Sequence, residues 1–309
     1  MGRESETASI TLLRSAVEPI LTAALKEDIG PRDLTSAALI PRGQAAESEI
    51  VVRREGILAG LQVAEWVFGA VEPKIRFKPM VKEGQRVYPD KAVAFLEGPA
   101  RGILAGERVA LNFLGRLSGI ATVARMFADR IKGTSTILLD TRKTTPTLRL
   151  LEKYAVAVGG GTNHRMGLYD GILVKENHLR LLGRGQSPAG TAAPSPVEEA
   201  VALARSAGGR KSVPVEVEVT SLQEFRQALS ARADLILLDN MRLSEIQEAV
   251  RLCRAAFRTS PDRPLLEVSG GVNLSNVRAI ALTGVDRISV GALTHSAAWL
   301  DLSLEVLPR

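Results

Sequence analysis

The chain has 309 residues, 45% hydrophobic and 24% charged, the make-up of a globular protein with a sizeable core. Its formal net charge of +6 points to an anionic partner. Aromatics at 4% and dispersed basic residues argue against nucleic acid, and one cysteine, Cys253, excludes an intramolecular disulfide or a cysteine zinc cage.

The first residues, MGRESETAS, lack the apolar run of a secretory signal, and no stretch is long and apolar enough to cross a bilayer. A cytoplasmic protein is therefore expected. Val17, Ile20, Leu21, Ala24 and Leu25 repeat at helical spacing, and Gly30-Pro31 ends that helix. DIGPRDLTS reads as a turn-rich connector. Residues 45–59 read as strand, turn, strand, and LQVAEWVFGAV as a helix. IRFKPMV, EGQRVYP and AVAFLEGPA follow as short extended segments. These elements predict a small α/β domain with an antiparallel sheet over 1–114. A long helical stretch over 102–131, relaxed at Gly115 and Gly119, is expected to bridge to the next domain. On periodicity alone, Arg108, Arg116 and Arg125 occupy its solvated face.

After Gly133 short apolar strands alternate with helices. The strands fall at 136–140, 171–175, 213–219, 234–239, 265–269 and 286–290. Near-continuous apolar strands separated by helices mean a parallel sheet covered on both faces. The pattern predicts an open, incomplete (β/α) barrel over 115–292. A flat doubly wound sheet is the alternative, disfavoured because no G-x-G-x-x-G follows the first strand. GRGQSPAGTAAPSP (183–196) reads as a mobile surface loop. The apolar tail 293–309 is expected to pack on the first domain.

Barrels of this kind carry their chemistry at the C-terminal ends of the strands. Asp140, Thr141, Arg142 and Lys143 close the first strand here, and Lys175 the second. His164 and Arg165 follow a run of three glycines between them. On VEVEV the alternation turns Glu216 and Glu218 to one face and the valines to the other. Buried carboxylates need a cation. With Asp239 on the next strand, Glu218 suits Mg²⁺ or a substrate hydroxyl, whereas Glu216 reads better as part of an ion-pair network. Ser269, Gly270 and Gly271 follow the fifth strand, and Val290, Gly291 and Ala292 the sixth, with His295 beside them. Small-residue loops at such positions offer backbone N–H groups to phosphate. His178 reads equally as a cap or as a functional group. So many cations, two metal-type carboxylates and two phosphate loops imply two anionic partners. No nucleophile with a base partner is evident, which favours electrostatic catalysis and positioning.

The motifs ERVALNFLGRLSGIAT, LDTRKTTP, KYAVAVGGGTNHRMGLYDGILVKENH, VEVEV, LLDNM, EVSGGVN and ISVGALTHS resemble the quinolinate phosphoribosyltransferase family, in family order over 107–296. EDIGPRDLTS also matches the family's N-terminal domain. The resemblance implies that quinolinate and phosphoribosyl pyrophosphate (PRPP) give nicotinate mononucleotide, pyrophosphate and CO₂, with Mg²⁺. It implies that Arg142, His164, Arg165 and Lys175 hold the quinolinate carboxylates and that Lys143 faces PRPP. Glu218 and Asp239 would bind the ribose hydroxyls and the metal, and 269–271 with 290–292 the 5′-phosphate. It also implies a homodimer, or a hexamer built from such dimers, in which Arg108 is donated by the neighbouring subunit. A paralogous phosphoribosyltransferase acting on another ring acid or base is the alternative. The long 183–196 loop and the extended N-terminus depart from the family pattern and touch no motif.

Overall fold

The structure, a computed structural model, describes residues 12–183, 194–207, 213–258, 260 and 262–308. Most of the expected 183–196 loop and the extended N-terminus lie outside the described residues. The chain divides into two compact units, one of residues 1–126, 143–162 and 292–309, the other of 127–142 and 163–291.

The first unit opens with α1 (Arg14–Ile29) and a short α2 (Leu34–Leu39). The latter lies in the segment expected to be a connector. Asp33 accepts the Ser36 N–H at 3.0 Å and so supplies the N-cap that lets six residues turn helical. Then come β1 (Ala45–Val52), β2 (Gly56–Ile57), α3 (Leu61–Val71), β3 (Arg76–Pro79), β4 (Arg86–Val87), β5 (Ala92–Pro99) and α4 (Ala100–Ile131). Leu61, Val63, Ala64, Val67 and Phe68 of α3 are buried, as are Ile50, Val52 and Leu96 of the sheet. Each of these side chains larger than alanine contributes about 1.5–3 kcal/mol through burial.

The sequence division at 114/115 falls inside α4. That helix runs unbroken from Ala100 to Ile131, and the units part at 126/127 instead. Its glycines do not loosen it. A Cβ on Gly119 would lie 2.0 Å from the Ala298 carbonyl oxygen, so glycine is what admits the returning chain. Arg116 is not on a solvated face either. Its Nη2 lies 2.7 Å from Oε1 of Glu152, a fully buried residue of α5 (Arg149–Val158), and donates to the Thr294 carbonyl at 2.6 Å.

The second unit begins with β6 (Ile137–Leu139). It continues through β7 (Ile172–Val174), α6 (Glu176–Leu182), α7 (Pro196–Ala207), β8 (Val215–Val219), α8 (Leu222–Ser230), β9 (Leu235–Asp239), α9 (Leu243–Ala256), β10 (Leu265–Ser269), α10 (Val277–Ala281) and β11 (Arg287–Ser289). The strands form one sheet, ordered β6-β11-β10-β9-β8-β7, and every pairing is parallel. That is the order of a barrel ring opened between β6 and β7, so the architecture is α/β with an open six-stranded barrel-type sheet. Val215, Val217 and Val219 are all buried, as strands covered on both faces require. In the first unit, α11 (Ala292–His295) precedes β12 (Leu302–Val306), which pairs antiparallel with β1 in the sheet ordered β12-β1-β5-β3.

Candidate active site

Parallel register brings the C-terminal ends of the six strands together, and the second unit's chemistry collects there. Asp140, just past β6, is fully buried. It accepts the His164 N–H at 2.7 Å and the Asn163 Nδ2 at 2.6 Å, and so pins the start of the His164-Arg165 segment. The His164 ring reaches inward. Its Nε2 lies 3.1 Å from Glu216 on β8 and 3.6 Å from Glu267 on β10, while its Nδ1 accepts the Arg165 N–H at 2.8 Å. An accepting Nδ1 places the ring proton on Nε2. Glu216 is therefore a hydrogen-bond acceptor for His164.

The nitrogen of His164 and one oxygen from each glutamate lie within 4.8 Å of one another, a spacing that could hold a divalent ion. The tautomer argues against that use. A metal on Nε2 needs the proton on Nδ1, where it would face the Arg165 N–H. Burial, and then the charge of Glu216, push the Glu267 carboxyl up to about 7, with His164 pulling the other way.

Arg165 donates through Nη1 to the Gly171 carbonyl at 2.8 Å. Burial, and next the positive charge of Arg142, hold its guanidinium below the ordinary value. Arg142 thus stands close enough to Arg165 to act on its charge. Lys175, at the end of β7, is half-exposed and lies 2.6 Å from the Glu218 carboxylate on β8. Its backbone N–H goes to His178 Nδ1 at 2.9 Å, which makes His178 a capping residue of α6. Asp239 ends β9 in register with Ser269 of β10, and its Oδ2 accepts from Asn240 Nδ2 at 2.9 Å.

The loop after β10 is shaped for close approach. Gly270 has φ +82°, and a Cβ there would lie 2.4 Å from the Asn240 Oδ1. Asn240 itself is left-handed at φ 53°. After β11, Val290 is buried and donates its N–H to the Leu139 carbonyl at 3.0 Å. Its amide is committed to the strand end, and Gly291 follows it. Lys143, Ala292, His295 and Arg108 lie in the first unit. There Lys143 offers its carbonyl to the Thr294 hydroxyl at 2.8 Å, and the Arg108 side chain is 62% exposed.

Sequence reasoning thus named the cations but gave no role to two strand-end carboxylates beside them, Asp140 and Glu267. The available signal was an acidic residue inside an apolar strand or at its end, the same cue that drew attention to Glu216 and Glu218.

An open (β/α) sheet with clustered guanidiniums, strand-end carboxylates and a glycine turn at its C-terminal edge defines an enzyme of anionic, phosphate-bearing substrates. Known proteins narrow the class. Family models described as the N-terminal and C-terminal domains of quinolinate phosphoribosyl transferase match residues 33–118 and 120–305. A probable nicotinate-nucleotide pyrophosphorylase [carboxylating] of Bacillus subtilis is 40% identical over 290 residues, covering 94% of this chain and 93% of its own. The nicotinate-nucleotide pyrophosphorylase [carboxylating] of Mycobacterium leprae is 39% identical, with 94% and 97% covered. The solved nicotinate-nucleotide pyrophosphorylase of Francisella tularensis superposes with a TM-score of 0.84 at 37% identity, covering 96% of this chain and 98% of its own. The chain belongs to the quinolinate phosphoribosyltransferase family.

Proposed function

We propose that this chain transfers the phosphoribosyl group of PRPP to quinolinate with loss of CO₂, giving nicotinate mononucleotide and pyrophosphate for NAD biosynthesis. The observation that carries the reading is the Arg142–Arg165 pair: burial and then the Arg142 charge disfavour the Arg165 cation, and a bound dianion would offset both. Together with Lys175, it matches a ring bearing two adjacent carboxylates better than a neutral base or a monoacid. His164 orders this seat from within. Glu218 and Asp239 take the ribose hydroxyls of PRPP, and the 269–271 turn takes the 5′-phosphate. From the first unit we assign Lys143 to PRPP, and Gly291 leads into Ala292 and His295 as further phosphate contacts. Arg108, exposed on α4, suits donation to the site of a second copy in a homodimer.

The donor set fits Mg²⁺. Glu218 and Asp239 are oxygen donors at the ends of neighbouring strands, and Glu218 already carries the charge of Lys175, leaving ligand positions for PRPP oxygens. When bound, Mg²⁺ offsets the charge that gathers on the leaving pyrophosphate. The protein's own part is positioning. The cations fix the two carboxylates of quinolinate so that the pyridine nitrogen faces the anomeric carbon. As the C–O bond to pyrophosphate breaks, that carbon gains oxocarbenium character and the nitrogen attacks. The new pyridinium nitrogen then holds the electron pair left at the adjacent carbon when CO₂ departs, and a proton completes the ring. Cations at the carboxylates therefore assist ring transfer more than decarboxylation. No helix among the described residues is long and apolar enough to cross a membrane, which fits a cytoplasmic setting.

The test is direct. Incubation with quinolinate, PRPP and Mg²⁺ should yield nicotinate mononucleotide and one CO₂ per turnover. Absence of product, or equal turnover of nicotinate without CO₂, would overturn the reading and favour a paralogous phosphoribosyltransferase for another ring acid.

A further inference from the structure

Among the buried polar groups, Glu267 is the most demanding. It is fully buried, and among the described residues neither carboxylate oxygen has a partner in good hydrogen-bond geometry, the Ser289 side chain being its polar neighbour besides His164. Glu216, 5% exposed, has one buried oxygen in the same condition. They lie on β8 and β10, on either side of β9, where the register places apolar Leu237 beside Glu267 and Leu235 beside Glu216. Apolar residues at both positions would complete a core at less cost than two neighbouring carboxylates. Both carboxylates converge on one group, the Nε2 of His164, at 3.1 and 3.6 Å. The other ring nitrogen takes the Arg165 N–H at 2.8 Å. A continuous line of contacts thus runs from the sheet interior through the imidazole to the backbone of an arginine in the anion seat.

We propose that Glu216 and Glu267 are positioning residues for the dicarboxylate substrate: they hold His164 in its Nε2–H form and, through it, set the backbone of Arg165. This rests on the quinolinate reading for its substrate and on geometry alone for its tautomer. Glu216 accepts the Nε2 proton. Glu267 sets a second carboxyl oxygen 3.6 Å from that nitrogen, where it favours an N–H over a lone pair. With Nε2 protonated, Nδ1 keeps a lone pair, and only a lone pair can accept the Arg165 N–H. The reverse tautomer sets two N–H donors against each other and turns the backbone that aims the guanidinium. Asp140 holds the other end of the same segment through the His164 N–H and Asn163, so the ring contact fixes what Asp140 leaves free to rotate.

The experiment has an arm that needs no turnover. The chain has three histidines, so ¹⁵N spectra of ring-labelled protein resolve His164 once His164→Gln identifies its signals. Wild-type protein should show a pyrrole-type Nε2 and a pyridine-type Nδ1. An Nδ1–H ring in the folded wild-type protein overturns the proposal whatever the activity. In the kinetic arm, Glu216→Leu, which removes the acceptor, should raise the KM for quinolinate about tenfold and leave that for PRPP within about twofold. Glu216→Gln, which keeps an acceptor oxygen, should recover most of the loss. Glu267→Leu, which removes the second oxygen, should raise the quinolinate KM in the same selective way. In a His164→Ala background, neither glutamate substitution should have any further effect on that KM. Equal rises in both KM values, or effects that multiply with His164→Ala, would overturn it by showing a general loss of structure. Wild-type protein that makes no nicotinate mononucleotide would sink the functional reading and leave the tautomer result standing.

Discussion

Replacing Glu267 with glutamine should make the protein more stable, and increasingly so as pH rises. The carboxyl is fully buried, and burial together with Glu216 raises it from an ordinary 4.5 to about 7. A raised acid favours the folded state while protonated. Its contribution is complete below about pH 4.5 and is lost as pH climbs through about 7, because the folded protein then holds a proton the unfolded chain has released. Over the span from about pH 5 to about pH 8 the wild-type protein loses about 2–3 kcal/mol through this group. Glutamine keeps the shape and neutrality of the protonated acid and does not titrate. Urea unfolding of both proteins across that range isolates the effect of this carboxyl and its contacts with Glu216 and His164, since groups away from it titrate alike in each. The stability difference should move toward the variant by about 2–3 kcal/mol between the ends. A difference that stays constant with pH would show that Glu267 is ionised throughout, and the account of its burial would be wrong.

Lys175→Ala removes a cation of the anion seat and should lower kcat/KM for quinolinate about a hundredfold; unchanged turnover would end its substrate role. Gly270→Ala should cost about 1–2 kcal/mol of stability from the left-handed backbone alone. It should also raise the KM for PRPP, because the new Cβ displaces Asn240; wild-type values of both would refute the glycine argument. Arg116→Leu leaves buried Glu152 without its cation and should destabilise the protein by about 3–5 kcal/mol, read as a lowered urea midpoint.

The barrel was legible because its strands are short apolar runs that only a sheet covered on both faces can use, and all six formed within a residue or two of their expected bounds. Their ends carried the ionisable residues that mark a site, so Arg142, Arg165, Lys175, Glu218 and Asp239 could be named before any coordinates. What did not show was depth. Glu216 and Glu218 alternate identically along β8, yet one is buried against His164 and the other meets a half-exposed lysine. That difference is set by neighbouring strands and cannot be read from one strand's periodicity. Arg116 looked like a surface residue for the same reason: nothing within α4 announces that Glu152 waits buried opposite it. The short α2 was missed because a single capping hydrogen bond decides it, against a local composition rich in turn formers.

Charge in the second unit is sorted by depth. The carboxylates Asp140, Glu216 and Glu267 are buried, His164 is nearly so, and Lys175 opens to solvent. If the deep carboxylates cancelled the cations outright, a dicarboxylate would gain little by binding. They do not: burial and next the charge of Arg142 outweigh the pull of Glu216 and Asp170 on Arg165. Each deep acid instead contacts the backbone or ring of the segment that carries Arg165. Glu267 makes the cost of this arrangement visible. A leucine there would stabilise the fold at neutral pH, but it would remove one of the two carboxyls that hold the His164 proton on Nε2. Stability is given up where the anion seat must be rigid before the anion arrives.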